Sequence, residues 1–146
     1  MAAVSVETIR SRVAEAVAAI GAGDEWVEVS LAWDVADGTS NQRHKHYAVG
    51  VPRSVAMSDR QRPGQSAFTT STITVRSWFR LKPKQSVATY DLSLTAEAAV
   101  RVAVCARTPT YPGDCTIRWV DTNRTVLGDE WHRCDLTFQV VHQQEN

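Results

Sequence analysis

The spacing of the apolar residues changes once within a single stretch, and that change limits the folds open to this chain. From Ile73 to Lys82, Ile73, Val75, Phe79 and Leu81 alternate with Thr74, Arg76, Trp78, Arg80 and Lys82. A period of two marks a β-strand whose two faces meet different surroundings, here one apolar and one basic. Pro83 has no N–H to give to a ladder, so the strand ends at Lys82–Gln85. From Ser86 the spacing becomes three or four. Val87, Tyr90, Leu94, Ala98, Val102 and Cys105 fall on one stripe of a helix. Ser86 suits an N-cap, and Thr108-Pro109 a stop. A long strand, a proline turn and a helix of about twenty residues form the unit around which the rest must be arranged. The stripe predicts that Tyr90 and Leu94 belong to the core.

The other segments extend the same pattern. Val6, Ile9, Val13, Val17 and Ile20 keep helical spacing, with Ser5 as cap and Gly21 where a C-terminal glycine belongs. Glu25–Val35 alternates, placing Val27, Val29, Leu31, Trp33 and Val35 on one face. His44–Val51 follows as a strand that Pro52 ends. Residues 53–71 are polar, with Pro63-Gly64 and little periodicity, and predict a mobile loop. A short strand over Cys115–Val120, a turn at Asp121-Thr122-Asn123, a second turn at Gly128-Asp129 and a strand over Trp131–His142 close the series. The order is helix, strand, strand, long loop, strand, helix, strand, strand. It predicts an α+β fold, a mostly antiparallel sheet of about four to five strands with both helices on one face.

At 146 residues the expectation is one domain over 1–146. No apolar run approaches the ~18 residues of a membrane span, and the N-terminus lacks an apolar leader segment. Cys105, Cys115 and Cys134 are odd in number and widely spaced, which fits reduced thiols. Cys105 and Cys134 share parity with apolar neighbours and are expected in the core. Formal charge is zero, which argues against a general nucleic-acid binder. That zero is unevenly built. Residues 36–86 hold nine Lys/Arg (Arg43, Lys45, Arg53, Arg60, Arg62, Arg76, Arg80, Lys82, Lys84) against Asp37 and Asp59, a net +7. Of the 16 residues of each sign, 7 basic and 14 acidic lie elsewhere, a net −7. Two such regions either neutralise each other within the fold or match copies of the chain.

Motifs for chemistry are sparse. His44 and His46 would share a strand face, but no third ligand is spaced to join them, so no metal site is assigned. Nucleophile-elbow, phosphate-loop and dinucleotide glycine patterns are absent from the sequence, and no acidic pair shares adjacent positions of one face. No catalytic residue, cofactor or enzyme activity is expected. Arg76, Trp78 and Arg80 instead suggest a partner surface, because Trp and Arg are enriched at interfaces. Trp26 and Trp131 have the same off-core parity.

Assembled in order, the chain resembles the tail terminator proteins of long-tailed bacteriophages. The resemblance spans nearly the full length. It rests on the N-terminal helix SVETIRSRVAEAVAAI, the strand EWVEVSLAWDV, the polar loop, the unit ITVRSWFRLKPKQSVATYDLSL and the closing EWHRCDLTFQVVH. It implies a non-catalytic virion protein without cofactor. Such proteins form a homo-oligomeric ring, commonly a hexamer, that caps the tail tube and joins it to the head–neck connector. The implied location is the tail–neck junction of the virion, after assembly in the host cytoplasm. No membrane and no specific nucleic acid take part, although DNA would pass through the lumen. Candidate interface residues are Arg60, Arg62, Arg76, Trp78, Arg80, Lys82 and Lys84 on the basic side. Glu28, Asp34, Asp129 and Glu130 stand on the acidic side. Other neck completion proteins share this style, and a small module binding nucleic acid through 43–84 is the alternative of another class.

Overall fold

The structure, a computed structural model, describes residues 3–20, 27–28, 45–50, 52–56, 68–81, 84, 86–106, 115–128 and 130–144. Within these, β1 (Ala3–Val4) leads into α1 (Val6–Ala19), followed by β2 (Val27–Glu28), β3 (His46–Val49), β4 (Arg53–Ala56) and β5 (Phe68–Arg80). The helix α2 (Ser86–Cys105) then precedes β6 (Thr116–Leu127) and β7 (Trp131–Gln144). The expected α+β fold is borne out. Five strands of four residues or more, joined by the two-residue β1 and β2, form one sheet. Both helices lie on one face of it. All pairings are antiparallel except β1 with β7 and β2 with β3.

The centre of the sheet is the ladder between β5 and β7, paired from Phe68↔Gln143 to Arg80↔Trp131. Directly opposed residues of an antiparallel pair share a face. Hence Ile73 with Phe138 and Val75 with Leu136 point one way, while Arg76 with Asp135 and Trp78 with Arg133 point the other. The first set forms the core together with Tyr47, Val49, Ile117 and Val140, closed by Ile9, Val13 and Val17 of α1 and Val100 and Val104 of α2. The alternation foreseen for the central strand therefore holds. Helix α1 also forms as its spacing demands, with the Ser5 hydroxyl accepting from the Thr8 N–H at 3.1 Å.

Four details differ from the sequence reading. First, β3 and β4 both pair with β5, and the register moves by one residue between Val49↔Val75 and Arg53↔Thr72. One extra residue across 50–52 makes a bulge where Pro52 cannot donate to the ladder. The strand thus resumes after its expected end, and the ends of the expected loop 53–71 are strands of a long hairpin. Residues 57–67 lie outside the described residues. Second, no turn interrupts β6 at Asp121–Asn123. A bulge at Val120 absorbs the irregularity, since Trp119 pairs Phe138 and Asp121 pairs Thr137. Because of that single extra residue, Trp119 and Thr122, three positions apart, share the helix-facing side. Third, β2, which lies within the strand expected over Glu25–Val35, pairs parallel with the next strand, β3; the rest of that expected strand lies outside the described residues.

The fourth difference is the largest. Helix α2 forms over the expected length, but its phase is not the expected one. Tyr90 is 37 % exposed, Leu94 51 %, Val87 71 % and Val102 72 %, so the stripe read as core faces outward. Thr89, Ser93, Val100 and Val104 are the buried residues. Cys105 is only half-buried, whereas Cys134 is core as expected.

Candidate interaction surfaces

The inverted helix follows from what lies beneath it. Under its N-terminal half the sheet presents polar side chains, namely Ser77, His132 and Cys134, all buried. Buried polar groups must be paired with others, and α2 supplies partners from its own polar side. The Thr89 hydroxyl donates to the Arg80 carbonyl at 3.2 Å. Ser93 Oγ lies 3.0 Å from His132 Nε2. Ser93 and Ser77 also bond the Cys134 thiol, which burial pushes above its ordinary pKa against the pull of Arg124. Burial likewise holds His132 below its usual range, with the nearby Arg124 charge acting in the same direction. Turning the apolar stripe inward would leave these groups unbonded, each at about 1–3 kcal/mol.

Against β6 the helix is fixed by a charged clasp. Arg101 stacks on the Trp119 ring with its guanidinium carbon 3.8 Å from the ring centre. Trp119 Nε1 donates to Thr122 Oγ1 at 2.9 Å, and that hydroxyl donates to Glu97 Oε1 at 2.7 Å. Glu97 also pairs with Arg124. The Val120 bulge brings Trp119 and Thr122 together for this chain of bonds. Tyr90 packs edge-on against His132, ring centres 5.0 Å apart, which holds the N-terminal end of the outward stripe.

On the opposite face of the sheet, Arg76 grips Asp135 with two bonds, Nε to Oδ1 at 2.8 Å and Nη2 to Oδ2 at 3.2 Å. Arg133 adds a second cation 3.5 Å from the same carboxylate. Arg76 belongs to the basic segment and Asp135 to the acidic remainder, so at this point the two regions neutralise each other internally. Trp78, expected on a partner surface, is 2 % exposed and is corrected to a buried residue. Arg80, Lys84 and Glu130 are exposed, and the Glu130 carbonyl accepts from the Leu81 N–H at 2.7 Å. Lys84 has φ 66°, a left-handed backbone that closes the turn after β5. Glu28 lies in β2, and Trp131 is half-buried in β7. Arg60, Arg62, Lys82, Asp34, Asp129, Trp26 and His44 lie outside the described residues.

One buried group looks at first like reactive chemistry. Ser71 Oγ is 2.6 Å from His142 Nε2 and 2.8 Å from Ser54 Oγ. A serine nucleophile needs access to substrate and a base oriented by a third group. Ser71 and His142 are fully buried, and His142 Nδ1 has no hydrogen-bond partner among the described residues. The pair ties β4, β5 and β7 together. Among the described residues no cluster of His, Cys, Asp and Glu is placed to hold a metal ion. None of the described helices is long and apolar enough to cross a membrane.

Sequence reasoning found the stripe but gave it the wrong side, and it missed the polar layer of Thr89, Ser93, His132 and Cys134. The available signal was the run of hydroxyls at positions 89 and 93, four apart on a helix and opposed to the apolar stripe. No family model matches the chain, and no characterised protein matches it in sequence. In structure it is similar to a chain of the virion of a native gene transfer agent particle, with a TM-score of 0.58 and 16 % identity. The likeness covers 92 % of this chain and 93 % of that one, so the two share a fold over nearly their whole lengths.

Proposed function

We propose that this chain is a structural subunit of a phage-like virion, working in a ring that caps the tail tube and joins the tail to the head–neck connector. The observation that carries the reading is the nearly end-to-end likeness to a virion chain. The apolar outward stripe of α2 supports it, because a protein that works alone gains nothing by exposing Val87, Leu94 and Val102. The role requires no cofactor and no catalytic step.

A ring of identical subunits needs two different surfaces that meet and close, commonly sixfold in such assemblies. Arg80 and Lys84 are exposed and supply basic charge, to which the sequence adds Arg60, Arg62 and Lys82. The sequence offers Glu28, Asp34, Asp129 and Glu130 as candidate acids for it to meet. Exposed ion pairs contribute only about 0–1 kcal/mol each, so their part is selecting and orienting the partner. A different connector position within the neck is the nearest alternative, since a fold shared with one chain of a virion particle fits more than one place in it.

The test is complementation of particles that lack this protein. The wild-type chain should restore joined heads and tails. Replacing Arg80 and Lys82 together with Glu should leave the subunit folded and reduce the yield of joined particles, with high salt reproducing part of the defect. Normal particles from cells without the protein would overturn the reading. A free subunit whose mass shifts on adding DNA, with steep salt dependence, would replace it with nucleic-acid binding.

A further inference from the structure

The sheet ends in two open edges whose directions match. Side by side run β4, β5, β7 and β6, each antiparallel to the next. An even number of alternating strands leaves the outer two, β4 and β6, running in opposite directions. A second copy placed beside the first by repetition along the sheet therefore sets its β4 antiparallel to β6, and the alternation continues unbroken. Among the described residues no backbone hydrogen bond reaches the outer side of β6 or of β4. With twelve residues in β6, about 40 Å of ladder donors and acceptors faces outward. All four residues of β4 are exposed, Val55 by 55 %. Such edges are templates for another strand.

The two edges also carry opposite charge on the same face. Arg53 pairs Thr72 and Asp121 pairs Thr137, which places both on the helix-free face of the sheet with Arg76 and Asp135. Both are exposed, and neither has an ion-pair partner among the described residues. The other charges near the middle of β6 are engaged, Arg118 on Gln139 and Arg124 on Glu97. We propose that β6 of one subunit pairs antiparallel with β4 of the next, Arg53 opposite Asp121, so that the sheets of neighbouring subunits join. The inference rests on the ring reading above. Two different surfaces meet, as a closed ring requires. Arg53 belongs to the basic segment and Asp121 to the acidic remainder, so the charge division that Arg76 and Asp135 cancel within one subunit is met here between subunits. A two-fold pairing of β6 with β6 would close at two copies and leave both β4 edges open.

The test uses complemented particles in which Arg53→Cys and Asp121→Cys are carried by different copies of the full chain. Opposed residues of antiparallel strands have Cα atoms about 4.5–5.5 Å apart, within reach of a disulfide. Particles containing both variants should yield a cross-linked subunit dimer under mild oxidation, and particles with either variant alone should not. Charge gives a second measurement. Arg53→Asp and Asp121→Arg should each lose joined particles, and the two changes in one chain should restore them. Each purified variant should keep the wild-type urea midpoint, since both residues are exposed. Joined particles that give no cross-link in the mixture overturn the proposal and leave the ring standing. So does a cross-link from Asp121→Cys alone, which would mean that β6 meets β6, or a double charge variant no better than the single ones. A wild-type chain that fails to restore particles strikes the ring reading itself, and this pairing with it.

Discussion

The two helices differ in a way that a helical wheel does not display. Each carries an apolar stripe at spacings of three and four. In α1 the stripe is the buried side, with Ile9, Val13 and Val17 fully covered by the sheet. In α2 the stripe is the outer side, and the helix rests on the sheet through Thr89 and Ser93 at one end and Val100 and Val104 at the other. The difference lies in the sheet beneath. Under α1 it presents an apolar surface, and under the first half of α2 it presents His132, Cys134 and Ser77. A stripe announces that some face of a helix will be covered, and the partner decides which layer covers it.

Four measurements sharpen or break that contrast. Ile9→Ala should cost about 2–5 kcal/mol in urea unfolding, through lost burial and a residual cavity. A loss under about 0.5 kcal/mol would mean that α1 is as loosely covered on its stripe as α2. Ser5→Ala removes the hydroxyl that caps α1 and should cost about 1 kcal/mol. Unchanged stability there would show that α1 is held by its packed side alone.

Acidification should act on α2 and spare α1. Folded His132 is held below its ordinary pKa by burial and by Arg124, so the unfolded chain takes up the proton first. The unfolded state then binds more protons, so stability falls as the pH is lowered. The contribution is complete above about pH 6.5, is lost progressively below it, and levels off once pH passes the lower folded-state value. Urea midpoints across pH 5–8 should show this slope in the wild type and a flatter one in His132→Gln. Equal slopes would remove His132 as the cause. The smallest effect is expected for Leu94→Ala, within about 0.5 kcal/mol for dilute monomer. A loss above 2 kcal/mol would return the stripe to the core and undo the contrast.

What the sequence disclosed follows the same division. The central strand was legible because Ile73, Val75 and Phe79 alternate against Thr74, Arg76 and Arg80, and a period of two has one meaning in a half-buried sheet. Trp78 was misplaced because parity tells which face a residue is on and not whether that face is covered. The bulges at 50–52 and Val120 were invisible, since one extra residue changes register without leaving a compositional mark. In the candidate surface, Arg76 was read as available because its partner Asp135 lies 59 residues away in the chain. The phase of α2 depended on buried polar groups of β7, which only the assembled sheet brings beneath it.

The ladder at the centre of the sheet also sets the order of events as the chain folds. The strands β6 and β7 are joined by a tight turn at Gly128, with φ 56°, and can meet as soon as both exist. The strand β5 must find β7 across separations of 51 residues at Arg80↔Trp131 and 75 at Phe68↔Gln143. Contacts this distant make folding slow, about milliseconds to seconds for sheets of this kind. Until β7 arrives, the alternating apolar edge of β5 has only β3 and β4 along one side. The newly made chain therefore passes through a period in which its longest ladder is half open.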